Sequence, residues 1–230
     1  MDEDRTAQVT AVAALAEPTR RRLYDHVVRQ PDPVSRDDVA AATGVPRPTT
    51  AFHLDRLVAD GLLDVHYERR SGRTGPGAGR PAKLYRRAEC SVSVSLPERR
   101  YDLAGELLAA AVVEAEQSGE RPAAVLERRA FARGRELGAE VGAEGPEAAL
   151  RVLEDQGFEP RETDGGIALA NCPFHTLAQE HTELVCGMNL RLLEGVLDGV
   201  PDAGLVASLR PEQDMCCVHL DPRHADEGTR

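Results

Sequence analysis

The sequence predicts a chain of two dissimilar parts: a mostly helical N-terminal domain closed by a β-hairpin, and a C-terminal α+β domain, with a linking helix between them. Three observations predict this. Short apolar-periodic stretches in the first ninety residues are punctuated by Pro and Gly, then followed by a basic, Gly-rich segment between two alternating stretches. Charge divides the chain: residues 1–90 hold 15 Lys+Arg against 13 Asp+Glu, whereas residues 91–230 hold 13 against 26. Four of the five cysteines lie within the 46 residues from Cys172 to Cys217. Aromatics make up only 3% of the chain and Trp is absent, which leaves the cores to Leu, Val and Ala and favours helical packing over a β-sandwich.

The N-terminal elements follow in order. Val9, Val12, Leu15 and Ala16 recur at helical spacing. Pro18 suits the first turn of a second helix, running to about Val28 with Leu23, Val27 and Val28 inward. Ser35, with Asp38 three residues on, predicts a capped start for a third helix that stops at Thr43-Gly44. After Val45-Pro46-Arg47 a fourth runs from Pro48 to Asp60, with Ala51, Leu54, Leu57 and Val58 on one face, and Gly61 closes it. Leu62 to Tyr67 and Lys83 to Arg86 alternate like paired strands.

Two helices joined by a tight Gly-containing turn form a helix-turn-helix unit, whose second helix reads the major groove with its N-terminal residues. On that helix Arg47, Thr49, His53 and Arg56 oppose the core stripe, Thr50 lies between core and groove, and Phe52 is placed either against a thymine methyl or packed on the hairpin. Between the strands, Val65 to Arg87 holds seven Lys+Arg against one acid, Glu68. Such a loop, with Arg69, Arg70, Arg73 and Arg80 followed by Lys83, suits a wing that lays cations along phosphates. The net charge of −11 therefore does not argue against DNA, because the acid belongs to the second half.

These residues carry a resemblance. Leu15-Ala16-Glu17-Pro18-Thr19-Arg20-Arg21-Arg22-Leu23 resembles the opening of ArsR-type winged helix-turn-helix repressors. Phe52-His53-Leu54-Asp55-Arg56-Leu57 with Gly61-Leu62 resembles their recognition helix and its exit. Gly79-Arg80-Pro81-Ala82-Lys83-Leu84-Tyr85 is similar to the wing of the SufR-like branch. The resemblance covers about residues 7–88. The chain departs from the arsenic-sensing members, which carry Cys-x-Cys in this region where this chain has no cysteine.

In the second half, a helical stretch introduced by Leu96-Pro97-Glu98 presents Tyr101, Leu103, Leu107, Leu108, Ala111, Val112 and Ala115 and ends by Ser118-Gly119. Placed directly after the DNA-binding domain, it suits pairing with a second copy, since paired half-sites require two-fold symmetry. Packing within its own subunit is the alternative. Residues 121–140 and 146–156 are further helices, 158–163 and 167–171 a hairpin, 184–200 an amphipathic helix with Cys186 in its first turn, and 204–210 and 215–220 two strands. The predicted domains are 1–92, a winged helix-turn-helix; 93–118, a linking dimerisation helix; and 119–230, a cysteine-containing α+β sensor domain.

The cysteines sit in Asn171-Cys172-Pro173-Phe174-His175, Val185-Cys186-Gly187 and Met215-Cys216-Cys217-Val218-His219. No Cys-x-x-Cys is present, so neither a zinc ribbon nor a bacterial ferredoxin is indicated. The pattern nonetheless resembles the sensor half of SufR-like regulators, and that resemblance implies Cys172 and Cys186 as ligands of an iron–sulfur cluster, 4Fe-4S or 2Fe-2S, with a third from Cys216 or Cys217. The later part departs from that pattern, where two separated cysteines follow, so the fourth position stays open to the second cysteine, His175, His219 or an exogenous ligand. In an extended strand Cys216 and Cys217 would point to opposite faces. Both can serve one centre only if the strand begins after them or bends. Cys90 reads as a small hydrophobe.

No apolar stretch follows the acidic Met1-Asp2-Glu3-Asp4, and no apolar run approaches the roughly 18 residues that span a bilayer. A cytoplasmic protein without a membrane partner is expected, where clustered cysteines serve as ligands or redox switches. The expected function is a homodimeric, sequence-specific repressor on double-stranded DNA, controlled by the cluster. Zinc held by four cysteines or by three and a histidine, a disulfide switch, a small-molecule sensor and a Cys172–His175 enzyme are the alternatives. No enzyme is expected, because no oxyanion-hole motif or third orienting residue accompanies the Cys–His pair.

Overall fold

The computed structural model describes residues 2–68, 81–164, 166–212 and 215–223, with residues 2–4 as backbone only. The chain divides into two compact units, Met1–Val94 and Ser95–Arg230.

In the first unit α1 (Asp2–Ala14) and α2 (Pro18–Val27) precede a short β1 (Val34–Ser35), α3 (Arg36–Thr43) and α4 (Arg47–Ala59). Strands β2 (Leu63–Glu68) and β3 (Ala82–Arg87) complete an antiparallel sheet in the order β1-β3-β2. Local chemistry sets the ends. Glu17 accepts hydrogen bonds from the N–H groups of Thr19 (3.0 Å) and Arg20 (2.5 Å), capping α2 ahead of Pro18. Those two amides hold the Glu17 carboxyl below its ordinary range, the bond from Arg20 foremost. Ser35 and Asp38 form the predicted capping box, and Gly44 ends α3 at a left-handed φ of 71°. Leu23, Val27, Val39, Leu54, Leu57 and Leu63 fill the core.

The second unit runs α5 (Tyr101–Ser118), α6 (Pro122–Glu140), α7 (Pro146–Asp155), β4 (Pro160–Thr163), β5 (Gly166–Leu169), α8 (His175–Glu180), α9 (Thr182–Gly199), β6 (Leu205–Leu209) and β7 (Val218–Pro222). Its sheet is antiparallel throughout, in the order β4-β5-β7-β6. The helix expected to link the domains does not stand apart: α5 buries Leu103, Ala104, Leu107, Ala111 and Ala115 within this unit and packs on α6, leaving Val112 and Val113 about half exposed.

Helices α6 and α9 approach unusually closely, through a Gly-x-x-x-Gly in each. A Cβ at Gly134 or Gly138 would lie 2.0 or 2.5 Å from the carbonyl oxygen of Leu192 or Val196; one at Gly195 or Gly199 would lie 2.1 or 2.3 Å from that of Phe131 or Arg135. Only glycine permits this contact.

Several boundaries differ from the sequence expectation. Helix α9, expected from Leu184, begins at Thr182, which puts Cys186 in its second turn. The last strand begins at Val218 and not at Met215. Strand β1 and helix α8 were not expected at all.

Candidate DNA interface and thiol cluster

The turn between α3 and α4 is held by Thr50, which is fully buried and donates its hydroxyl to the Val45 carbonyl (3.2 Å). His53 is buried as well. Its Nδ1 accepts from Arg20 Nε at 3.4 Å, and its Nε2 lies 3.7 Å from Glu17 Oε2. Thr50 and His53 are thus corrections to the expected groove-facing set: they complete a core stripe of 50, 53, 54 and 57 at helical spacing.

The outer face of α4 carries Arg47, Phe52, Asp55 and Arg56, with Thr49 half-buried beside them. Arg47 pairs with Asp37, and Arg56 with Asp60 (2.9 Å). Phe52 is 65% exposed and makes an edge-type ring contact with the neighbouring His53. Asp55 receives Lys83 Nζ (2.5 Å) and the Tyr85 hydroxyl (2.9 Å), which locks α4 to β3. Partial burial works to raise the Asp55 carboxyl, but the bonds from Lys83 and Tyr85 outweigh it and hold it below its ordinary value. Of the expected wing cations Arg69, Arg70, Arg73 and Arg80 lie outside the described residues; Lys83 lies within them, engaged as above.

In the second unit three segments bring four thiols together. Cys172 follows β5, Cys186 projects from α9, and Cys216-Cys217 immediately precede β7. Because the strand begins after the pair, the alternation that would separate the two neighbours does not apply. Main-chain bonds fix that bend: the Cys216 N–H donates to Leu169 O (2.9 Å) and the Arg210 N–H to Cys217 O (2.7 Å). Cys172 and Cys216, Cys186 and Cys217, and Cys216 and Cys217 lie near enough for each side chain to bear on the other's ionisation. Cys172, Cys186 and Cys216 are buried; Cys217 is half-buried and Cys90, expected to behave as a small hydrophobe, is exposed.

The environment disfavours ionisation of Cys172, Cys186 and Cys216. The interaction with Cys216, together with burial, pushes Cys172 well above the ordinary thiol range. Cys186 is raised by burial, against the opposing interaction with Cys217. For Cys216 the interaction with Cys172 works downward, but that with Cys217 and burial prevail and push it up to about 12. Deprotonating such a set requires a positive charge placed among the sulfurs.

Residues sequence reasoning missed surround the thiols. Asn189, buried on α9, donates Nδ2–H to Cys216 Sγ at 3.3 Å. Arg99 donates from Nη1 to Asn171 Oδ1 (2.5 Å) and to the Cys172 carbonyl (3.1 Å). Asn171 in turn donates to the carbonyls of Glu98 (3.1 Å) and Gly157 (2.6 Å). The Arg100 N–H donates to Pro173 O (3.1 Å), and Tyr101 OH meets Thr176 Oγ1 (2.9 Å). The stretch leading into α5 is therefore clasped to the Cys172 loop. Its one sequence signal is Asn171, a polar residue beside the first cysteine.

Among the described residues no group of three His, Cys, Asp or Glu stands ready-made for one ion. His175 is exposed at the start of α8, while buried His219 has no hydrogen-bond partner at Nε2, Glu212 lying 3.6 Å away. Neither joins such a group. The chemistry of the set does fit a sulfur-ligated centre: four thiols, three of them buried, with a half-satisfied buried amide against one of them. Loading would exchange S–H contacts for metal–sulfur bonds.

A family model described as a helix-turn-helix domain matches residues 15–66, which span α2 to β2. Comparison with curated proteins and with solved structures gives no match. The match and the α3-turn-α4 geometry define a helix-turn-helix domain, and that domain supports a DNA-binding transcriptional regulator. Among the described residues no helix is long and apolar enough to cross a membrane.

Proposed function

We propose that this chain is a homodimeric transcriptional repressor whose second unit holds an iron–sulfur cluster through Cys172, Cys186 and the Cys216-Cys217 pair, and whose grip on DNA depends on that cluster. The observation that carries the reading is the meeting of four thiols from three remote segments, with Cys172, Cys186 and Cys216 buried. A zinc ion needs four donors about 2.3 Å from a single point. A cluster takes its cysteines on several irons, which suits four thiols drawn from three segments of the chain.

When bound, the cluster supplies a redox- and oxygen-sensitive change of charge and ligation at Cys172. The protein's own residues carry that change onward. Asn171 and Arg99 tie the Cys172 loop to Glu98–Tyr101, a few residues after the boundary at Val94. A shift of the loop moves the stretch that leads back to the helix-turn-helix, and with it the spacing of the two recognition helices in a dimer. Coupling of about 1–3 kcal/mol suffices for a 5- to 150-fold change in affinity. The half-exposed Val112 and Val113 on α5 support pairing through that helix. On DNA, Arg47, Thr49, Phe52 and Arg56 face the groove, and the sequence supplies Arg69, Arg70, Arg73 and Arg80 as cations for phosphates.

Anaerobic purification followed by a visible spectrum and iron, sulfide and zinc analysis tests the cofactor. A coloured protein with iron and sulfide supports the reading; a colourless one with stoichiometric zinc defeats it.

A further inference from the structure

Asn189 follows Cys186 by three residues on α9, so the two lie on the same side of the helix. It is 1% exposed, on a helix whose other buried residues are apolar, Val185, Met188, Leu192, Leu193 and Val196 among them. Its Oδ1 is buried and finds no hydrogen-bond partner among the described residues, while its Nδ2 donates to Cys216 Sγ at 3.3 Å. A half-satisfied amide in an apolar core is costly, and a leucine of similar size would avoid that cost. Against a neutral thiol, a weak acceptor, the bond returns little. Against a thiolate the same N–H makes a charge-assisted bond.

We propose that Asn189 is a positioning residue for the sulfur-ligated centre: it orients Cys216 as a ligand and stabilises negative charge on its sulfur. The inference rests on the cluster reading. A reduced cluster carries one more negative charge than its oxidised form, shared in part by the ligand sulfurs. A donor at Cys216 therefore stabilises the reduced state more and raises the reduction potential. The same bond keeps Cys216 aimed at the centre, which slows its release.

The test uses the full chain, loaded anaerobically, as wild type, Asn189→Leu and Asn189→Met. Both variants fill the site without a donor, and the flexible methionine covers a failure of the leucine to pack. Metal-free folding is expected to match wild type or exceed it. The loaded variants are expected to show a more negative midpoint potential and loss of cluster to a chelator about 10-fold faster. Asn189→Gln, which keeps the donor, should return part of both. Wild-type potential and loss rate in the leucine and methionine variants would overturn the role of Asn189 alone. A wild-type protein that takes up no cluster would overturn the reading beneath it.

Discussion

Replacing Gly195 by alanine tests how the second unit is held together. At an open helical position the substitution stabilises: Gly105 on α5 is exposed, with nothing within 4 Å of an added Cβ, and Gly105→Ala should gain about 0.5–1 kcal/mol. At Gly195 the added carbon would sit 2.1 Å from Phe131 O and 2.9 Å from Arg135 N, both backbone atoms that cannot rotate away. Restoring an ordinary contact of about 3.5 Å requires α6 and α9 to part by more than about 1 Å. Overpacking of this kind costs about 1–3 kcal/mol, and backbone obstruction places it at the upper end. Less the propensity gain of about 1 kcal/mol, the net is a loss of about 2 kcal/mol. Urea unfolding of the full chain followed by far-ultraviolet circular dichroism should therefore show midpoints moving in opposite directions for the two variants. If Gly195→Ala unfolds at or above the wild-type midpoint, the close helix contact is not what holds Cys186 and Asn189 in place.

Three further outcomes are expected. Asp55 is held below its ordinary value, so its pairing with Lys83 and Tyr85 favours the folded state above pH 3.8 and that contribution disappears as pH falls through the folded value; Asp55→Asn should flatten the acid side of the stability profile, and an unchanged profile would remove that link. Phe52→Ala should weaken binding to a selected operator by about 1–3 kcal/mol while leaving nonspecific binding intact, and thymine-to-uracil replacement at the contacted base should cost the wild type but not the variant; equal loss on all DNA would show that Phe52 does not read bases. Arg99→Met should leave cluster content unchanged yet reduce the difference in DNA affinity between loaded and metal-free protein; a full difference would place the coupling elsewhere.

The N-terminal elements were legible because their ends are written in local chemistry: Pro18, the Ser35–Asp38 box, Gly44 and Gly61 act within a few residues of themselves. The rotation of α4 was not. Counting apolar residues favoured Ala51 and Val58, whereas Thr50 and His53 enter the core because distant or backbone groups satisfy them: the Val45 carbonyl for one, Arg20 and Glu17 for the other. Phe52 is turned outward by the same rotation. The meeting of the cysteines was suggested by resemblance, but the start of β7 at Val218 depends on pairing with β5 and β6, which no local signal encodes. Arg99 is out of reach of sequence reading for a similar reason, since 73 residues separate it from the carbonyl it holds.

The central claim is that cluster occupancy sets DNA affinity, and one titration measures it directly. Full-length protein, loaded anaerobically, is bound to its selected operator at fixed salt, then measured again after chelation has removed the metal and once more after reloading. The account predicts tight binding when loaded, a drop of about 5- to 150-fold when stripped, and recovery on reloading. Equal affinity in all three states would contradict it.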